Sequence, residues 1–373
     1  MRVNFIDLKI KNKKTLDHYK NIYGKIIKSG IFYNGKHLKK LELNLKKYTK
    51  RKHCVGVSSG TGAVYLAIKT LKSSIFKKDE VITTPLSWLA SSNAILENKL
   101  KPVFADIKDD LTIDPISIEK MISNKTKAIL IVNYTGQVCD IEALDRISKE
   151  YKIPIIEDGA QSFGATYKNK KSGSFGKISA ISHNPMKVFS AFGEAGSIFT
   201  DDDEIYKKLI YYRYNGSERK DYRHEYSYKY SSLNFRMDEV QASVLNEKLK
   251  NINQTIKKRK LLANLYDKLL DKIIKIPERR ANEERIYYTY TIKVNKKYRK
   301  KLQEFLFSKN IETKIYYDKL IPEVDPYKKF NFKSDIKNAK KISKEVLCLP
   351  MHENLNTNQI YYVCEKVKEF FNG

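Results

Sequence analysis

Cysteine is scarce in this chain, with four in 373 residues, and Cys54, Cys139, Cys348 and Cys364 lie too far apart to form a CxxC pair. Neither a zinc site nor a disulfide framework is suggested, so no metal is expected and the thiols read as reduced and cytoplasmic. Acidic residues are short as well: 43 Asp and Glu against 72 Lys and Arg leave a net charge of +29. No stretch approaches the roughly 18 apolar residues of a membrane span, and the opening MRVNFIDLKIKNKKTL lacks a signal-peptide core. A soluble, intracellular protein with no membrane partner is the expectation. A nucleic-acid motif is also missing, although a basic excess of this size invites that reading. The lysines are scattered, and runs such as Lys168–Lys171 and Lys257–Lys260 read as solvated faces. No nucleic-acid partner is expected; some basic residues can instead attract an anionic substrate such as a nucleotide diphosphate.

What is present is a large apolar fraction, 41%, enough for one big α/β domain with a smaller partner. Residues 11–28 and 36–50 have helical periodicity around a Gly30/Gly35 break. The segments CVGVSS (54–59), EVITTP (80–85), KPVFADI (101–107), KAILIVNY (127–134) and IPIIED (153–158) read as buried strands. Helical patterns at 87–98, 115–123 and 140–151 alternate with them, which indicates a βαβ series and a largely parallel sheet. Asp140 opens one of these helices as an N-cap. Gly216 to Ser231 reads as an irregular loop. Beyond about residue 240 come long helices, strands at TYTIKV (289–294) and TKIYYD (313–318), and helices at 297–309, 337–346 and 356–371. The expected organisation is a large domain over 1–240, with an N-terminal helical segment, and a smaller α+β domain over 241–373.

The stretch from Ile155 to Thr200 carries the chemistry. An apolar strand ends in Asp158, a second ends in Ser182, and Lys187 follows in a segment closed by Gly193 and Gly196. Amine chemistry on a carbonyl needs a neutral amine, which apolar surroundings favour, and Met186, Val188, Phe189 and Phe192 stand next to Lys187. Lys187 is therefore the candidate attachment point for an aldehyde cofactor. A pyridine ring is an electron sink only while its nitrogen stays protonated, which a fixed carboxylate beside it secures; Asp158 is placed for that. Its other reading is a strand-end acid or N-cap. Upstream, Ser58-Ser59-Gly60-Thr61-Gly62 joins a strand to a helix and leaves backbone N–H groups free for a phosphate.

The segments EDGAQ (157–161), SGSFG (172–176) and GEAG (193–196), with the spacing Ser182-x-x-x-x-Lys187, resemble the DegT/DnrJ/StrS family of sugar aminotransferases dependent on pyridoxal phosphate (PLP). The resemblance implies an α/β protein of fold type I, with a large α/β/α domain around a mostly parallel sheet and a smaller C-terminal α+β domain. It also implies roles. Asp158 meets the pyridine nitrogen, Gln161 lies near the ring hydroxyl, Ser182 and the Gly60-Thr61-Gly62 turn hold the phosphate, and Lys187 attaches the cofactor. Trp88, the only tryptophan, stacks on the ring, where a core position is the alternative. SSLNFRMDEVQASVL (231–245) resembles the family's GxNxRM motif with Ser232 in place of glycine, and it gives Asn234 the phosphate of the neighbouring subunit; Arg236 reads as a structural ion-pair partner. The implied reaction moves an amino group from L-glutamate to a nucleotide-linked keto sugar, by way of pyridoxamine phosphate, in a homodimer making amino sugars for bacterial surface glycans.

Two departures stand out. Ile315-Tyr316-Tyr317-Asp318 replaces the family's Ile-His-Tyr-Pro, which shapes the sugar pocket. His183 replaces an aromatic residue, and some members of the superfamily with histidine in place of the lysine are sugar dehydratases. With Lys187 retained, transamination is expected; a dehydratase and a non-catalytic PLP-binding regulatory protein are the alternatives. His352, in LPMHENL (349–355), reads equally as a packed turn residue or a ligand.

Overall fold

Runs of apolar residues without alternation form strands here because both faces of the sheet are covered. The computed structural model describes residues 1–71, 79–219, 225–271, 273–328, 332 and 334–372. Its main sheet has eight strands: β1 (His53–Val57), β2 (Glu80–Thr83), β3 (Lys101–Ala105), β4 (Thr126–Val132), β5 (Ile155–Asp158), β6 (Ile178–Ser182), β7 (Gly196–Thr200) and β8 (Ser334–Asp335). The order is β1-β7-β6-β5-β4-β2-β3-β8, and β7 alone runs opposite to the other seven. Strand alternation divides the core: Ile129, Ile131 and Ile155 join one apolar cluster, Leu130 and Ile156 the other.

Helices cover both faces. The first, α1 (Lys13–Ser29), is capped by Asn12, whose side chain accepts from Thr15 N at 2.9 Å, and it stops at Gly30 with φ 65°. The second, α2 (Lys36–Thr49), buries Leu38, Leu41 and Leu45 against the sheet. The third, α3 (Gly60–Leu71), follows β1 after two residues, and α4 (Leu89–Glu97) packs on it.

A further core gathers Val3, Leu262, Tyr266, Ile292, Leu347 and Val363. The helix Ile252–Leu270 serves both: Ile252 and Ile256 belong to the large sheet's cluster, Leu262 onward to the second.

Four expectations are corrected. TKIYYD forms no strand: Tyr317 has φ 59°, and the only pairing is the bridge Lys314↔Cys348. The strand partner of Tyr290–Lys293 is instead Val346–Leu349, and the helix expected over 337–346 ends at Ile342. The stretch after Gly216 holds a hairpin, Ser217–Arg219 with Tyr226–Tyr228; 220–224 lie outside the described residues. Within Lys257–Lys260, Arg259 is buried and donates to the carbonyls of Tyr287 and Met351. All four cysteines are free and buried, and among the described residues no helix is long and apolar enough to cross a membrane.

Candidate active site

Adjacent residues of a strand point to opposite faces, and β5 uses this to separate two carboxylates. Glu157 faces inward to a closed set of donors: Asn133 Nδ2 at 2.8 Å, Ser172 Oγ and Ser179 Oγ at 2.7 Å, and the amides of Gly173 and Phe175 at 3.0 Å. Asp158 faces the other way, into a cavity of about 370 Å³. It accepts Ser91 Oγ at 2.8 Å and Ala160 N at 3.1 Å and is 4% exposed. Burial pushes its pKa up; Ser91, Ala160 and the nearby Lys187 pull against that. A carboxylate this buried, with two neutral donors, favours a cation beside it.

The cavity collects seven of the nine cofactor-binding candidates: Gly60, Thr61, Trp88, Asp158, Gln161, Ser182 and Lys187. Gly60 and Thr61 open α3, where first-turn amides have no partner inside the helix. Ser59 takes up those of Gly62 (Oγ, 3.0 Å) and Ala63 (carbonyl, 3.0 Å). Glycine is required at position 60, since a Cβ there would stand 2.4 Å from Ser182 Cβ. This contact brings Ser182, at the end of β6, against the helix start. Trp88 is 62% exposed at the mouth, so the core position is excluded. Gln161 accepts from Thr135 N at 2.9 Å and donates to Tyr317 Oη at 3.5 Å.

Lys187 sits in a loop closed by Ala191 N to His183 O (2.7 Å) and His183 N to Ala195 O (2.8 Å). Its ammonium lies 4.8 Å from the centre of the Tyr288 ring. Of its apolar sequence neighbours, only Met186 lines the cavity; Phe189 packs on Phe163, and Phe192 is 38% exposed against Tyr19.

Two candidates lie elsewhere. Gly62 is packed against the Phe235 ring, where a Cβ would meet it at 2.8 Å. Asn234 is exposed and outside this chain's own cavity; its Oδ1 accepts from the backbone N and Nε of Arg236. Arg236 forms no ion pair among the described residues: it lies between the rings of Tyr214 (3.8 Å) and Tyr33 (4.6 Å). Asp140 caps Ile141–Tyr151 by accepting from Ala143 N. His352 is buried, 3.3 Å from the Asn4 carbonyl.

Sequence reasoning missed Ser91, Tyr288, Lys314 and Glu194, all of which line the cavity. Tyr288 is set in place by Gly136, whose φ is 94° and whose missing Cβ leaves room for Tyr288 N. Gly136, between the strand 127–134 and the helix opened by Asp140, was the available signal.

His183 does not reach the cavity. It is fully buried, with Nε2 2.8 Å from Ser197 Oγ and Nδ1 3.3 Å from the Phe189 carbonyl. Burial pushes its pKa from the ordinary 6.5 down to about 4, so it is neutral when folded. The unfolded chain takes up the proton first, so the stability it contributes is whole above pH 6.5 and is lost as the pH falls towards 4, by about 3 kcal/mol. His183→Phe should flatten the unfolding free energy across that window, measured by urea titration. An unchanged slope would place the proton uptake elsewhere.

The donor set fits PLP: a buried carboxylate for a ring nitrogen, a helix start with Ser182 for a phosphate, and an amine for an aldehyde, around one cavity.

Comparison with known proteins agrees. Residues 17–368 match the model of the DegT/DnrJ/EryC1/StrS aminotransferase family. A Geobacillus stearothermophilus protein named "Pleiotropic regulatory protein" is 33% identical, covering 100% of this chain and 99% of its own. The UDP-2-acetamido-2-deoxy-3-oxo-D-glucuronate aminotransferase of Pseudomonas aeruginosa is 30% identical over 97% of this chain and 98% of its own. The crystal structure of NtdA from Bacillus subtilis, with bound cofactor PMP, superposes with a TM-score of 0.91 at 27% identity, covering 100% of this chain and 86% of its own. The chain belongs to the DegT/DnrJ/EryC1/StrS aminotransferase family.

Proposed function

We propose that the protein transfers the amino group of L-glutamate to a nucleotide-linked keto sugar, using PLP that cycles through pyridoxamine phosphate, in the making of amino sugars for surface glycans. The observation that carries this is the convergence of Asp158, Lys187 and the start of α3 on one cavity. When bound, PLP supplies an electron sink for the carbon that loses its proton. Asp158 holds the proton on the ring nitrogen. Lys187 Nζ takes the proton from the donor carbon and returns one during the transfer. The amides of Gly60 and Thr61, with Ser182 Oγ, hold the phosphate, and Trp88 covers the ring. The net charge of +29 favours the approach of an anionic nucleotide sugar. The oxo-sugar nucleotide in the Pseudomonas relative's name supports the acceptor class. Four buried free thiols suit work in the cytoplasm.

Two subunits share each site in this reading. Asn234 lies on a surface with exposed Phe32 (45%), Tyr33 (48%), Tyr228 (76%) and Leu233 (65%), apolar area suited to a second copy of the chain. Co-expressing Lys187→Ala with Asn234→Ala should recover about a quarter of wild-type activity, because half of the randomly paired dimers keep one intact site of two. No recovery from two inactive parents would place Asn234 in its own subunit's site, and an active Asn234→Ala parent would place it in none.

The direct experiment is to load the protein with PLP, add L-glutamate, follow the cofactor's visible band, then supply a UDP- or dTDP-linked keto sugar and look for the amino sugar by mass spectrometry. Bleaching followed by product supports the reading. A second reading, a regulatory protein that binds PLP without turnover, draws on the Geobacillus relative's name. It predicts a band that neither glutamate nor the sugar changes.

A further inference from the structure

Two ammonium groups line the cavity, and the proposed reaction uses only one of them. The second belongs to Lys314. Its Nζ lies 4.9 Å from the centre of the Tyr316 ring, the Tyr316 and Tyr288 ring centres are 6.4 Å apart, and Lys187 Nζ lies 4.8 Å from the Tyr288 ring centre. Each lysine of the cavity thus rests on its own tyrosine ring, and the two rings are neighbours. Lys314 has no carboxylate within ion-pair distance among the described residues. The cavity's own acids are engaged: Asp158 by Ser91 and Ala160, Glu194 by Asn184. A ring face attracts an ammonium more weakly than a charge-assisted hydrogen bond does.

The position is fixed rather than incidental. Lys314 N donates to the Cys348 carbonyl at 3.0 Å and Cys348 N to the Lys314 carbonyl at 2.8 Å, which ties the residue to the strand Val346–Leu349. Three residues on, Tyr317 has φ 59°, a conformation that costs a bulky side chain energy and is kept where the surroundings hold it. With that turn, Lys314, Tyr316 and Tyr317 all line the cavity.

We propose that Lys314 receives a carboxylate of the substrate in the cavity it shares with Lys187. The inference rests on the transaminase reading, in which an amino-acid donor always brings a carboxylate to this cavity. A keto sugar of the uronate type would bring one as well. The chemistry is the same, and the two half-reactions separate the sources.

The test uses the full-length, PLP-loaded protein, with Lys314→Met to remove the charge and Lys314→Arg to keep it. If the donor's carboxylate is seated there, the half-saturating L-glutamate concentration for bleaching rises about tenfold or more in the Met variant and recovers in the Arg variant. If the acceptor's carboxylate is seated there, the pyridoxamine-phosphate form of the Met variant loses a uronate keto sugar by a similar factor and keeps a neutral one. A binding readout independent of turnover comes from Trp88, the sole tryptophan, whose ring lies 6.3 Å from Tyr317. Glutarate titrated into the cofactor-free chain should change its fluorescence, with about tenfold weaker binding in the Met variant. Coincident curves for wild type and Met variant in all three titrations, with the cofactor band intact, overturn the inference and leave the transaminase reading standing. A wild type without a glutamate-sensitive band overturns that reading instead, while the glutarate titration still decides whether Lys314 holds a carboxylate.

Discussion

Lys187→Ala should bind PLP without the visible band of the covalently held cofactor and should lose turnover by about 10³-fold or more, since one side chain supplies both the attachment and the proton transfer. Folding should hardly change. Lys187 Nζ has a ring contact with Tyr288, and its loop is closed by backbone hydrogen bonds that alanine keeps. Thermal unfolding within about 0.5 kcal/mol of wild type, with activity gone, is the expected pair of results. Activity retained in Lys187→Ala would remove the lysine from the mechanism.

Asp158→Asn should separate function from stability in opposite directions. With cofactor, the ring nitrogen loses its carboxylate, and losing one partner of a buried charge pair corresponds to a rate loss of about 10²-fold or more. Without cofactor, the carboxylate is a burden. Its folded pKa is raised by burial, so the folded state prefers the protonated acid more strongly than the unfolded chain does. Stability is therefore greatest below the ordinary carboxylate pKa and falls as the pH rises through the window between the unfolded and folded values. The cofactor-free Asn variant should melt higher than wild type at pH 7, and the gap should close on acidification below about pH 4. A cofactor-free variant that melts lower at pH 7 would show that Ser91 and Ala160 compensate the charge fully.

These variants follow from residues that the sequence exposed, and the reason is local. Asp158, Ser182 and Gly60 sit at ends of strands or the start of a helix, and Lys187 in the loop that follows Ser182, where apolar runs stop and chemistry begins, so a linear reading finds them. Ser91 was hidden because nothing distinguishes it from the other serines of SWLASSNAILEN; only the packing of α4 over β5 brings its hydroxyl to Asp158. Tyr288 and Lys314 come from the far half of the chain and meet the cavity through tertiary contacts that no spacing records. VLCL was missed as a strand because a four-residue apolar run fits the end of a helix equally well. TKIYYD has the composition of a strand, but the positive φ at Tyr317 breaks it. Asn234 was found by motif alone, and the structure leaves it exposed and outside the chain's own cavity.

The short strand β8 has a consequence for how the chain can be divided. Ser334 and Asp335 pair in parallel with Phe104 and Ala105, so residues more than 220 positions later in the chain close the outer edge of the main sheet. A fragment ending near residue 240 would leave β3 with bare amides and carbonyls on that side, an open template for a neighbouring molecule. The C-terminal part therefore protects the sheet from self-association as well as bringing Tyr288 and Lys314 to the cavity, and the two halves of this protein are better regarded as one unit of solubility than as separable modules.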